Sequence, residues 1–216
     1  MANAVTDSID SFFEEHHIEP PRFDYNMKYS PTTLILLFFS FSFIGWIWEV
    51  GLHIAQAGEF VNRGVLFVPW LPIYGSGGVM ILLLLRRFFH RPVLIFFLNM
   101  FLCSGIEYFT SWFLETTKGI RWWDYSGYFL NINGRICLEG SVVFGLGGCA
   151  IIYFLAPFLG NLFKRIKPLL KILICIIFIL FFSLDTAHSM IHPNTGEGIT
   201  DEVKDRELPP VKPRIE

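Results

Sequence analysis

Charge is scarce in this sequence. Asp, Glu, Lys and Arg make up only 17% of its 216 residues, where a soluble domain carries about a quarter. A disordered chain and a nucleic-acid-binding chain are both excluded by that balance. Cysteine is rare as well. Cys103, Cys137, Cys149 and Cys175 show no CxxC spacing and sit in apolar runs. Buried free thiols are expected there, not a zinc or redox centre. No GxxxxGK[ST] occurs, so the chain has no P-loop and cannot hydrolyse ATP in that manner. GxSxG and HExxH are missing too, which leaves hydrolase and zincin readings without support. No enzyme class and no cofactor is assigned.

What is abundant is hydrocarbon. Apolar residues reach 53%, Phe alone contributes 24, and the mean hydropathy is +0.49. At about 20 residues per crossing, that total supplies about five membrane spans. The sequence predicts an all-α, polytopic membrane helix bundle in contact with lipid. Its apolar stretches cover residues 32–56, 64–85, 92–114, 136–160 and 168–189. Pro69, Pro72, Gly75, Gly77 and Gly78 interrupt the second. Proline removes a backbone donor, and broken backbone at membrane depth needs protein or water around it. That span is expected to be kinked or partly unwound and to face the interior.

The tails differ from this core. Residues 1–31 form a polar N-terminal segment with six acids and two bases, and an amphipathic surface helix is expected over residues 9–18. Residues 190–216 carry Pro193, Pro209, Pro210 and Pro213 among mixed charges and read as a flexible tail. A cleavable signal peptide is not expected, because a polar stretch precedes the first apolar run. Between them, residues 32–189 form the transmembrane domain.

Arg86, Arg87 and Arg91 follow the second span, and Lys164, Arg165 and Lys167 follow the fourth, with no acid in either connection. Both connections fall on one side of an alternating chain, which the positive-inside rule makes cytoplasmic. This predicts a multi-pass protein of the bacterial cell membrane, N-terminus inside and C-terminus outside.

Seven acids remain outside the tails: Glu49, Glu59, Glu107, Glu115, Asp124, Glu139 and Asp185. Helical rise places Glu49 and Asp185 about 26 Å, and Glu107 about 22 Å, from the basic ends of their spans. All seven therefore gather in the opposite half, where only Arg63, Lys118, Arg121 and Arg135 oppose them. One reading is a structural network pinning loops to helix ends. The other is an outward-opening acidic site for a small molecule, a proton or a metal ion, because a carboxylate as deep as Glu107 should face the interior. Arg135 has the reach and fork geometry to pair with Glu107, with Glu49 and Glu139 competing for it.

Spacing groups these residues further. Trp46, Glu49 and His53 share a helical stripe, as do Glu107, Ser111 and Glu115. The strip from Asn62 and Arg63 to Tyr74 suits either a re-entrant approach to a bound group or a plain turn. Trp122, Trp123 and Asp124 suit an interfacial loop better than a ligand cage. Asp185 and His188, one turn apart, could ligate a metal with Glu49 and Glu139, so a metal-binding protein or membrane enzyme is an alternative, as is a structural or sensor protein. Ser141, Gly145 and Cys149 recur every four residues, a signal for close helix packing.

Several motifs form a set: residues 42–49 (SFIGWIWE), Asn62-Arg63-Gly64, Pro72-Ile73-Tyr74-Gly75, Trp123-Asp124-Tyr125-Ser126, and residues 133–139 (NGRICLE). Together they resemble the bacterial type IV ABC-transporter permeases, the CmpB-like proteins, over about residues 38–150. The resemblance implies a transporter permease subunit acting with a separate ATP-binding subunit, which would dock on the basic connections. The candidate substrate-binding residues lie in the acidic half: Trp46, Glu49, Asn62, Arg63, Tyr74, Trp123, Asp124, Asn133, Arg135 and Glu139 within these motifs, and Glu107 and Glu115 from their depth and shared stripe. The substrate itself is not specified.

Overall fold

The structure, a computed structural model, describes residues 24–118, 123–192 and 194. The expected surface helix over residues 9–18 and the tail beyond residue 194 lie outside the described residues, as do Arg121 and Trp122. Helices α1 (Pro31–Ala57), α2 (Pro72–Leu84), α3 (Pro92–Lys118), α4 (Leu138–Ala150), α5 (Ala156–Lys164) and α6 (Pro168–Ile191) follow in order. A π-helical turn, Ile151–Leu155, joins α4 to α5, so the two form one rod.

Four helices are long and apolar enough to cross a membrane: α1, α3, the α4–α5 rod, and α6. The chain is a multi-pass, all-helical membrane protein. Proline sets where many of these elements begin, since its missing N–H costs nothing in a first turn. Pro31, Pro72, Pro92 and Pro168 each open a helix. The Thr33 amide donates to the Ser30 hydroxyl to cap α1, and Gly58, at φ 76°, closes its other end in the left-handed conformation glycine tolerates.

The second apolar stretch differs from a plain span. Its helix starts at Pro72 rather than near residue 64 and has 13 residues, about 20 Å of rise and too short to cross. Residues 62–71 form an irregular strip that re-enters the bundle. The Leu71 amide donates to the Ser42 carbonyl at 3.0 Å, well inside α1. From there α2 runs back along α1 toward the basic end. The approach is close because a Cβ at Gly75 would run into Ser42 and Phe38, one at Gly78 into Phe41, and one at Gly45 into Tyr74.

The core sits toward the basic end, where Leu37, Phe41, Ile81, Leu85, Ile95 and Ile152 pack together. Arg86 donates to the Asn26 carbonyl there, and the Tyr153 hydroxyl to the Phe89 carbonyl. The α3–α4 pair meets through small residues, as their spacing predicts. Phe96 lies against Gly145, Asn99 against Gly148, and the Ser104 hydroxyl donates to that of Ser141 at 2.7 Å. The π turn has a local cause. Pro157 has no N–H and would crowd the Tyr153 carbonyl of a regular helix. A wider turn relieves this, with the Ala156 amide reaching five residues back to Ile151. All four cysteines are free thiols, Cys137 and Cys175 buried.

Candidate functional site

The acidic half is organised by two irregular segments, each held by side chains from the helices. The first is the re-entrant strip. Its backbone amides have no helical partners, and in an apolar setting they require acceptors. Asp185, on α6, supplies them: Oδ1 accepts from the Phe67 amide at 3.2 Å and Oδ2 from the Val68 amide at 3.1 Å. Asn62 binds the strip from within, its amide donating to the Phe67 carbonyl at 3.0 Å. Trp46 Nε1 donates to Asn62 Oδ1 at 2.7 Å, and Asn194 ties the far end of the chain to the Asn62 and Gly64 carbonyls.

The second segment is the loop from residue 123 to residue 137. Asn133 (φ 54°) and Gly134 (φ 64°) both adopt left-handed backbone, the signature of a tight I′ hairpin turn that Asn-Gly favours. The Arg135 amide closes it on the Ile132 carbonyl at 3.0 Å. That turn sends Arg135 back onto α3, where Nη1 lies 2.5 Å from the Glu115 carboxylate and 3.2 Å from the Ser111 hydroxyl. Its guanidinium also stands 5.7 Å above the Tyr108 ring. Trp123 Nε1 donates to the Arg135 carbonyl at 2.9 Å, and Asn133 to the Tyr108 hydroxyl at 2.7 Å. Asp124 is spent locally, accepting from the Ser126 amide and hydroxyl.

Two phenol–carboxylate pairs lie between these segments. The Tyr74 hydroxyl donates to Glu49, whose other oxygen is 3.9 Å from Arg63. The Tyr125 hydroxyl donates to Glu107 at 3.0 Å. Tyr74 is within electrostatic reach of Tyr125 and Glu107. In the loop, burial pushes the Tyr125 phenol above its usual value. The Glu107 charge and hydrogen bond add to this, then Cys137 and Glu49. Burial likewise raises the Cys137 thiol, and Glu139 adds to it. A phenol so placed stays protonated and donates. The pairs thus present two carboxylates, each with a donor on one oxygen.

Two expectations are corrected here. Arg135 pairs with Glu115 instead of Glu107, because the Asn-Gly turn delivers it to the end of α3, two helical turns from Glu107. The metal set fails as well: among the described residues no three of His, Cys, Asp and Glu are grouped to hold an ion. Asp185 is committed to backbone amides, and the His188 ring packs edge-on against Phe67, centroids 5.2 Å apart. Glu139 sits exposed in the first turn of α4, where its charge suits the helix dipole. The sequence reading missed Tyr125 and the capping role of Asp185. The signal for the latter was present, since unwound backbone near Pro69 must find acceptors at its own depth.

A family model matches residues 36–190; its description is "Putative ABC-transporter type IV". No curated protein matches the chain, and no solved structure does.

Proposed function

The chain belongs to this type IV ABC-transporter family, and from that premise we propose that it is the permease subunit of a transporter whose ATP hydrolysis comes from a separate subunit. The observation that carries the proposal is the re-entrant strip with the phenol–carboxylate pairs beside it. Irregular backbone inside a bundle, next to carboxylates, is the arrangement transporters use to line a path. Glu49 and Glu107 would meet a cationic substrate or a proton, and Tyr74 and Tyr125 would exchange their hydrogen bonds as it passes. Asn62, Arg63, Trp46 and Asp185 position the strip. Glu115, Trp123, Asp124, Asn133 and Arg135 position the loop, and Glu139 stands exposed at the start of α4. The acidic half would open to the outside of a bacterial cell membrane, and the basic connections would dock the ATP-binding subunit.

Purification of the tagged chain in mild detergent tests this reading. Recovery of an ATP-binding protein, lost when Arg86, Arg87, Lys164 and Arg165 are replaced by Gln, supports it. A chain that always purifies alone, in cells whose solute content is unchanged by its deletion, overturns it. A second reading has its own support: Glu49, Glu107, Glu115 and Asp185 are all partnered, as in a purely structural network. Under that reading Glu107→Gln lowers protein yield before any solute flux changes.

A further inference from the structure

Helices α2 and α6 both pack on α1 and barely touch each other. Between them runs a crevice of about 520 Å³, a volume typical of ligand sites. Its walls are Leu34 and Phe38 of α1, Val79 and Leu83 of α2, and Ile179 and Phe182 of α6. Ser76 is the one hydroxyl in the lining, and it donates back to the Pro72 and Ile73 carbonyls. Nothing polar is therefore on offer inside.

The crevice has one closed end. Trp70, from the re-entrant strip, lies 4.8 Å from the Phe39 ring, 5.6 Å from Phe178 and 6.4 Å from Phe182. Phe39 and Phe182 also line the slot, so this aromatic cluster bridges its α1 and α6 walls near mid-bundle. The other end reaches Leu34 and Leu84, at the start of α1 and the finish of α2, beside the basic end. From Ser76 to Leu84 the slot is about 12 Å long by helical rise, close to half of a hydrocarbon layer about 30 Å thick. On α6, two turns from Ile179 toward the basic end, Lys171 is half-buried and reaches the hydroxyl of Thr33, the neighbour of Leu34, at 3.4 Å, with exposed Arg86 and Arg87 following α2.

We propose that this crevice binds one acyl chain of an anionic membrane phospholipid, with Lys171 meeting its phosphate. A partner's transmembrane helix, or one from a second copy, would have to run through the layer, and the Trp70 cluster stops it halfway. An acyl chain ends at mid-membrane, has no polar atom to satisfy, and carries a negative headgroup to the basic surface. Length, chemistry and charge thus agree on one occupant. The inference rests on the membrane bundle alone and holds whether or not the protein transports anything.

The test uses the full-length chain in vesicles of equal parts phosphatidylglycerol and phosphatidylcholine. The protein is extracted into mild detergent, and retained lipid is counted by native mass spectrometry. One phosphatidylglycerol per chain is expected, at least about ten-fold preferred over phosphatidylcholine. Ile179→Trp and Val79→Phe fill the slot from opposite walls, and each should lose the lipid while melting within a few degrees of the parent. Lys171→Gln should retain a lipid but lose most of the preference. No retained lipid, retention undiminished in both filled variants, or an unchanged preference in Lys171→Gln would each overturn the proposal. So would filled variants that release a bound protein instead.

Discussion

Arg135 meets Glu115 at 2.5 Å and leaves Glu107 to Tyr125. Two carboxylates on one face of α3 thus have partners of different kind. Glu115, nearer the C-terminal end of the helix, holds a permanent cation, and Glu107 holds a phenol.

That division gives a double-mutant cycle a definite expectation. Arg135 is only 11% exposed and Glu115 38%, so their coupling should be about 1 kcal/mol, the upper end for surface pairs. Arg135→Ala and Glu107→Gln should instead add, with coupling near zero. Thermal unfolding in detergent measures both. Strong coupling between Arg135 and Glu107 would contradict the pairing.

Asp185 should matter for stability more than any other acid of the group. Hydrogen bonds to a charged acceptor contribute about 1.5–3 kcal/mol each, and this carboxylate takes two from adjacent amides. Asp185→Ala is expected to destabilise by about 3 kcal/mol or more. Asp185→Asn keeps one good acceptor and should cost roughly half as much. Hydrogen exchange at Phe67 and Val68 should rise in step.

The glycines of α2 should separate into two groups. A Cβ at Gly75 meets the Ser42 hydroxyl and the Phe38 carbonyl, while one at Gly77 meets nothing within 4 Å. Gly75→Val should therefore lift α2 off α1, at about 1–3 kcal/mol. Gly77→Ala should be neutral or stabilise by about 0.5–1 kcal/mol, since helix formation then costs less entropy. Melting temperatures of the two variants check this directly.

Alkaline pH should expose the role of Tyr125. Its phenol is held above the ordinary value by burial first and by Glu107 second. The folded state therefore keeps a proton that the unfolded chain gives up at about pH 10. The stabilisation is complete below that pH and is lost as pH rises toward the folded value. The stability difference between parent and Tyr125→Phe should be flat up to about pH 10 and shrink above it. A constant difference at all pH would remove Tyr125 from the buried pair.

Orientation has its own check. In a background lacking the native thiols, cysteine at Gly58 should react with a membrane-impermeant reagent in intact cells. Cysteine at His90 should react only after the membrane is opened. The reverse pattern would put the acidic half on the cytoplasmic side.

The bundle was legible because apolar length and the prolines at 31, 72, 92 and 168 mark helices without reference to anything distant. The break in the second stretch was legible for the same local reason. The pairing of charges was not. Arg135 could reach several carboxylates by length alone, and only the handedness of the Asn133-Gly134 turn selects Glu115. Asp185 looked like a ligand because its true partners are amides of another segment, 117 and 118 positions away. Sequence displays side chains, whereas unsatisfied backbone becomes visible only when the fold is known.

The π turn at Ile151–Leu155 also decouples the two ends of its rod. Each residue advances a regular helix by about 100°, so the extra residue in that turn resets the phase of everything after it. The face of α4 that meets Asn99 and Phe96 does not continue as the same face of α5. Sequence change on one side of the turn is thus freed from the register of the other. Deleting a single residue there would let the wide turn close to regular width and leave Lys164 on its present side of the rod, whereas a deletion within α5 itself would rotate Lys164 by about 100°.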